Sequence, residues 1–388
     1  MQKKSISQEY YITLKITNKI IFKTYANTKE RIKFGYAERC LKGQNIYVGL
    51  DVHKKDWKVS IRSEELSYKT FTQKPSPEEL VKHLHCHFPG AAYYSAYEAG
   101  FSGFWAHREL VKQGVNNLVV HAADIPTSQK EKVFKTDKRD CHKIARSLSK
   151  NELEGIHIPE KKTQEDRSLV RMRITLRKDL NRQKNRIKSM MNFYGICIPE
   201  RFLQSTHWSK SFIEWLKEVQ FEYGSAEHSL KILIAEVEHL RSSQLGVTQE
   251  LRKLALSTAY NTDMQLLISI PGIGMFTAIA FLTHIENINR FPNPNNFAAY
   301  LGLVPNCHST GDKENTGEMT FRGNKWLREL LVEASRMAAR KDPALHPAYL
   351  NLSKRMKANQ AIIRIARKLS NRIYYVLKNK QAYENGIV

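Results

Sequence analysis

Four carboxylates stand where their spacing permits metal-dependent phosphoryl chemistry. Asp51 closes an apolar run within Gly49-Leu50-Asp51-Val52-His53-Lys54, and Glu98 closes a second, Tyr93 to Tyr97, ahead of Ala99-Gly100. Asp137 and Asp140 lie three apart in Lys135-Thr136-Asp137-Lys138-Arg139-Asp140, and residues at i and i+3 share one helix face. A carboxylate at the end of an apolar strand is costly to bury unless it is paired or binds a cation. Two strand-end carboxylates and two on one helix face offer oxygen donors to hard cations such as Mg²⁺. A pair of such ions clamps the attacking and leaving oxygens of a phosphodiester. Each residue also has an ordinary role open to it: Asp137 as a helix cap, Asp51 paired with Lys54 or Lys55, Glu98 bound to a backbone turn. Singly, these roles weigh at least as much as catalysis; jointly, the strand-end order favours the metal.

The elements that must position these groups follow from the flanking pattern. Ile46–Val52 and Trp57–Arg62 read as a strand hairpin. Ser76-Pro77-Glu78-Glu79 opens a helix, with Ser76 as cap, Pro77 in the first turn and Glu79 completing a capping box. Tyr93–Tyr97 is a strand, Ser102 to Gln113 a helix ended by Gly114, Leu118–Val120 a short buried strand, and Thr136 or Asp137 starts a helix reaching about Lys150. Strands alternating with helices define an α/β domain over residues 46–155. Residues 1–45 read as a basic N-terminal extension ending in the linker Lys42-Gly43-Gln44-Asn45.

Residues 156–260 change character to basic helices and a coiled coil. Leu169, Met172, Leu176, Leu180, Ile187 and Met190 form a helical stripe, and Arg173, Arg177, Lys184 and Lys188 lie largely off it. The positive excess there is too unbalanced for self-pairing, so nucleic-acid contact is favoured over a solvated face. Leu230, Leu233, Val237, Leu240, Gln244, Val247, Leu251 and Leu254 alternate spacings of three and four, the a/d seam of a coiled coil. A dimerising arm and an internal hairpin between 161–190 and 228–256 share this pattern equally. Residues 261–388 read as a mostly helical C-terminal domain.

The net charge is +24, and the excess concentrates in residues 1–45, 161–190 and 353–380, which contribute +7, +8 and +9. A globular chain this basic meets a polyanion, nucleic acid by default. The five cysteines are scattered without a CxxC pair, which points to a reduced, intracellular setting. His83-Leu84-His85-Cys86-His87 lacks a second ligand cluster and reads as a helix end. Met264 to Ile285 is free of Lys, Arg, Asp and Glu, but Pro271-Gly272-Ile273-Gly274 interrupts it, so no membrane span is expected.

Tyr47-Val48-Gly49-Leu50-Asp51-Val52-His53-Lys54, Tyr97-Glu98-Ala99-Gly100 and Lys135 to Asp140 resemble the motifs of DEDD-type bacterial insertion-sequence transposases, insertion sequence family 110. Ile270-Pro271-Gly272-Ile273-Gly274, Tyr300 to Pro305, His308-Ser309-Thr310-Gly311 and Arg322 to Arg328 resemble that family's C-terminal transposase domain. The resemblance spans roughly residues 46–345. Family members usually begin close to the first aspartate strand, so residues 1–45 are either a real extension or an early start.

The resemblance implies a RuvC-like, ribonuclease-H-type domain that binds Mg²⁺ (two ions, with Mn²⁺ as a substitute) through Asp51, Glu98, Asp137 and Asp140. It implies that Ser309, beside the second hydroxyl of Thr310, attacks DNA and becomes covalently linked to it. It further implies donor and target DNA, a structured guide RNA from the element, and a homo-oligomer, a dimer pairing into a tetramer. The expected setting is bacterial cytoplasm, at the nucleoid when acting. Read from the residues alone, Ser309 is an ordinary serine in a polar, turn-rich segment. Gly272 and Gly274 form a break between helices that either holds a phosphate or simply interrupts a core. Arg322, Lys325 and Arg328 are either phosphate contacts or a solvated helix end. The competing function is a RuvC-like endonuclease that delivers metal-activated water without a covalent intermediate.

Overall fold

The computed structural model describes residues 43–127, 137–203, 208–310, 313–320 and 322–384. Residues 1–42, most of the expected basic extension, lie outside the described residues. The chain divides into two compact units, meeting between Ile158 and Pro159. Among the described residues no helix is long and apolar enough to cross a membrane.

The first unit is built on a five-stranded mixed sheet. Its strands are β1 (Asn45–Val52), β2 (Trp57–Arg62), β3 (Ser67–Gln73), β4 (Ala92–Glu98) and β5 (Asn116–Val120), in the order β3-β2-β1-β4-β5. β1, β2 and β3 pair antiparallel, while β4 lies parallel to both β1 and β5. Side chains alternate across a strand. Ile46, Val48, Leu50 and Val52 therefore point together into a core completed by Trp57, Leu80, Leu84 and Leu110. Helices α1 (Pro77–His87) and α2 (Trp105–Lys112) supply the last three of these. The Ser76 hydroxyl accepts from Glu79 N at 3.1 Å, the expected cap of α1. Helix α3 (Asp137–Ser149) covers the opposite face, with its Ile144 and Leu148 clustered with Ala96 and Val120 of the sheet. The edge strand β3 has no counterpart in the sequence reading, because most of its side chains are exposed.

The second unit is largely helical. It opens with α4 (Lys161–Phe193), followed by α5 (Glu200–Leu203), α6 (Lys210–Glu218) and α7 (Gly224–Ala255). Then come α8 (Asn261–Ile268), α9 (Met275–Ile285) and α10 (Pro294–Tyr300), a two-stranded hairpin of β6 (Pro305–Thr310) and β7 (Lys313–Met319), and α11 (Lys325–Lys341), α12 (Leu345–Ser353) and α13 (Ala358–Asn379). α4 and α7 pack along each other within the chain. Val170 and Ile174 share a core with Leu251 and Ala255, and Ile187 and Met191 share one with Leu230 and Ile234. The pair is therefore an antiparallel hairpin. Its buried stripe agrees with the expected one at Leu180 and Ile187 and is rotated in the N-terminal half, where Val170 and Ile174 are buried and Met172 is half exposed. On α7, Ile234 displaces Leu233 from the centre of the seam.

Candidate functional site

Gly49 sets the geometry of the carboxylate end of the sheet. A Cβ at this position would lie 2.5 Å from Ala145 N and would run into Cys141 O, both backbone atoms of α3. The bare glycine lets the helix rest directly on β1, beside Asp51 on the same strand face. Parallel pairing of β1 with β4 registers Leu50 against Tyr97, so Asp51 and Glu98 come next on the two neighbouring strands. Both share the face of Gly49 and Ala96, the one that α3 covers.

The helix brings the third carboxylate. Burial, and then the Asp51 carboxylate, push the Cys141 thiol up to about 11, with a smaller contribution from Asp140. Asp137 is the first residue of α3; its side chain lies outside the described residues. Each located aspartate already has a side-chain partner. His53 Nε2 is 3.1 Å from Asp51 Oδ2, and Lys143 Nζ is 3.3 Å from Asp140 Oδ1. His53 is thus a partner of Asp51, and the motif's histidine is a neighbour of the site that sequence reasoning did not single out. Glu98 is exposed. Among the described residues no three His, Cys, Asp or Glu side chains close into a metal-ligating group. The candidate donors on these elements are carboxylates, whose oxygens suit a hard divalent cation. The His83–His87 run is a helix end, as expected: α1 stops at His87, whose Nδ1 lies 2.9 Å from His83 O.

Ser309 lies in strand β6, opposite Glu314 of β7 and one residue before the last registered pair, Thr310–Lys313. This corrects the turn-rich reading of the segment; its side chain lies outside the described residues. The hairpin is fastened at its base. Gly302 (φ +70°) and Gly323 (φ +98°) cross so closely that a Cβ on Gly323 would lie 2.5 Å from Gly302 N. Both need the left-handed region that glycine alone enters freely. Arg328 closes the crossing by donating from Nη1 to Gly302 O at 3.1 Å and Thr320 O at 3.0 Å. Asn324 caps α11 through Leu327 N at 3.2 Å and ties back to Tyr300 O at 2.7 Å. Arg328 is therefore a buckle between loops, occupied by protein carbonyls. Arg328→Ala is expected to slow strand cleavage roughly 100-fold, the cost of about 1 Å of misplacement, with duplex binding retained. Single-turnover cleavage beside a binding isotherm checks this, and an unchanged cleavage rate refutes it.

The other basic candidates separate by their surroundings. Arg173 donates from Nε to Thr248 Oγ1 at 3.0 Å and stacks 4.0 Å from the Phe276 ring centroid. Burial, and then Arg177, lower its pKa. Arg177 bonds Glu329 at 2.9 Å. Lys184 lies 5.5 Å over the Trp208 ring, and burial, followed by Arg241 and Lys188, lowers its pKa. Lys188, Arg322 and Lys325 are exposed. Gly272 (φ +93°) is explained by packing, since a Cβ there would lie 2.5 Å from Ala334 O on α11. Gly274 is exposed at the start of α9.

Two family descriptions match the chain. A DEDD transposase model of the IS110 type covers residues 48–196, and one for the IS116/IS110/IS902 transposase family covers 264–350. Relatives agree with them. A candidate transposase of Sinorhizobium fredii, y4qE, is 27% identical over 62% of this chain and 57% of its own length. The transposase for insertion sequence element IS1111A of Coxiella burnetii is 24% identical over 74% of this chain and 78% of its own. The transposase for IS1328 of Yersinia enterocolitica is 26% identical over 52% of this chain and 58% of its own. The chain thus spans little more than half the length of two of these three relatives. These similarities define the class as an insertion-sequence transposase. The chain belongs to the IS110 family of DNA transposases.

Proposed function

We propose that this chain cuts and rejoins DNA strands through a RuvC-like, Mg²⁺-dependent carboxylate centre and a transient link between Ser309 and DNA. The observation that carries the reading is the adjacency of Asp51 and Glu98 at the ends of neighbouring parallel strands, on the face that α3, the helix of Asp140, covers by seating on Gly49. The strand order β3-β2-β1-β4-β5, antiparallel on one side of β1 and parallel on the other, supports a ribonuclease-H-type domain. Asp51, Glu98, Asp137 and Asp140 hold the cation, with His53 and Lys143 steadying the first and last of them. When bound, the ion stabilises negative charge on the scissile phosphate. Ser309 forms the new bond to phosphorus as the leaving strand's P–O bond breaks, and rejoining reverses the exchange. The serine role, a guide RNA from the element, action on both donor and target DNA, and assembly as a homo-oligomer rest on the family resemblance.

The test is a denaturing gel of the protein incubated with supercoiled element DNA and Mg²⁺. The wild-type chain is expected to leave a protein–DNA adduct. Ser309→Ala is expected to bind DNA and leave none, and Asp51→Asn is expected to lose adduct and cleavage together. An adduct that persists in Ser309→Ala removes the serine from its role. Cleavage without any adduct in the wild-type chain favours the water-delivering nuclease.

A further inference from the structure

Two helices carry the chain's positive excess within the described residues, and their charges are not in the same condition. On α4 five of the eleven cations face an acid at home, while Lys161, Arg171, Arg186 and Lys188 are exposed with no acidic partner among the described residues. Lys162 pairs with Asp166, Arg182 with Asp179, and Arg177 and Lys178 share Glu329. Arg173 is packed onto Phe276. On α13, among the described residues, Arg372 alone of five cations faces an acid. Nine basic residues fall between Lys354 and Lys380, and no acidic residue occurs between Asp342 and Glu384. The flanking Asp342 is fully buried and committed to Arg372. Lys380 takes Asp263, and Lys378 reaches only the neutral Asn289. Lys354, Arg355, Lys357, Arg364 and Lys368 are exposed, and among the described residues none has an acidic partner.

The folding of α13 aligns part of this charge. Ile362, Ile365, Leu369, Ile373 and Leu377 are buried against the rest of the unit. Arg364, Lys368, Tyr375 and Lys378 follow at spacings of four, seven and three on the opposite side, a single stripe. Arg364 to Lys378 is roughly 21 Å of helix, the length of about six base pairs. Like charges four residues apart destabilise a helix, so the stripe costs stability unless a polyanion covers it. The helix lies beyond residue 350, where the second family match ends.

We propose that the outer face of α13 and the turn before it grip the phosphate backbone of duplex DNA. This rests on the reading of the chain as a DNA-cutting enzyme and assigns a surface to its substrate. Sites for single strands interleave aromatic rings with cations so that bases stack. Here one exposed ring, Tyr375, at 52% exposure, follows a row of cations. Charge alone on a straight edge holds phosphates without reading bases.

The experiment measures binding of a 30-base-pair duplex of arbitrary sequence to the full chain between about 50 and 200 mM NaCl. It uses the Asp51→Asn background so that no strand is cut. Arg364→Gln with Lys368→Gln removes two charges and keeps helix propensity. The slope of log K against log salt is expected to shrink by about 2, close to 0.9 per lost phosphate contact, with affinity falling roughly tenfold or more at the lower salt. Lys162→Gln with Arg182→Gln on α4 is expected to leave the slope in place. An unchanged slope in the α13 variant overturns the proposal and leaves the cutting function standing. A loss confined to single strands or to duplex RNA, run as parallel arms, overturns it too. Failure of the parent chain to bind duplex overturns both readings.

Discussion

Gly49→Val is expected to abolish strand cleavage and to lower the melting temperature of the sheet domain by roughly 10 °C. The collision is with backbone, Ala145 N and Cys141 O of α3, so no side-chain rotamer relieves it. Either the helix lifts from β1 or the strand bends, at an overpacking cost of about 3 kcal/mol. Lifting the helix also moves Asp140 away from Asp51. The variant should therefore lose activity even under conditions where it remains folded, and Ala145→Gly should not rescue it. Circular dichroism melting beside a cleavage assay checks both halves. A variant with the parent's melting curve and cleavage rate would show that α3 is not seated as described.

Asp342→Asn should be the most damaging single exchange in the C-terminal unit, at about 3 kcal/mol or more. The carboxylate is fully buried. It accepts from Ala344 N and Leu345 N at 2.9 and 2.8 Å, from Tyr383 Oη at 3.0 Å, and from Arg372. Burial alone would raise its pKa; the Leu345 amide, Arg372 and Tyr383 outweigh that and hold it below the usual carboxylate value. The folded state therefore binds this proton more weakly than the unfolded one. The stabilisation is complete above about pH 4, the unfolded carboxylate value, and is lost as pH falls through the lowered folded pKa. Asparagine keeps the amide bonds and leaves Arg372 without its charge partner. Urea unfolding at pH 7 and near pH 3 should show a wide gap between parent and variant that narrows in acid. A gap that stays constant with pH would place the effect in packing.

The carboxylate-bearing end of the sheet was legible because its signals are local. Alternating apolar residues gave β1 its face, and acids at two strand ends and on one helix face gave the constellation. The consequence of Gly49 was missed, although a glycine inside an apolar strand marks a close backbone approach. The N-terminal half of the stripe on α4 was misplaced because Arg173 packs onto Phe276 and bonds Thr248, contacts that a count of apolar letters cannot register. β3 and the β6–β7 hairpin escaped for a different reason. Ser67-Tyr68-Lys69-Thr70 and Lys313-Glu314-Asn315-Thr316 carry no apolar alternation; backbone pairing to a neighbour makes them strands. The unneutralised charge of α13 was visible as composition, but its difference from α4 depends on which acids lie within reach of each cation.

The crossing of Gly302 and Gly323 makes the segment between them a cassette. The chain enters and leaves through one point, held shut by Arg328, and the helices before and after are tied to that point rather than to the hairpin tip. Lengthening such a loop costs closure entropy that grows only with the logarithm of its length. Evolution can therefore trade hairpins of different reach here while the flanking helices stay in register, and an engineer can do the same by exchanging residues 303–322 as one block.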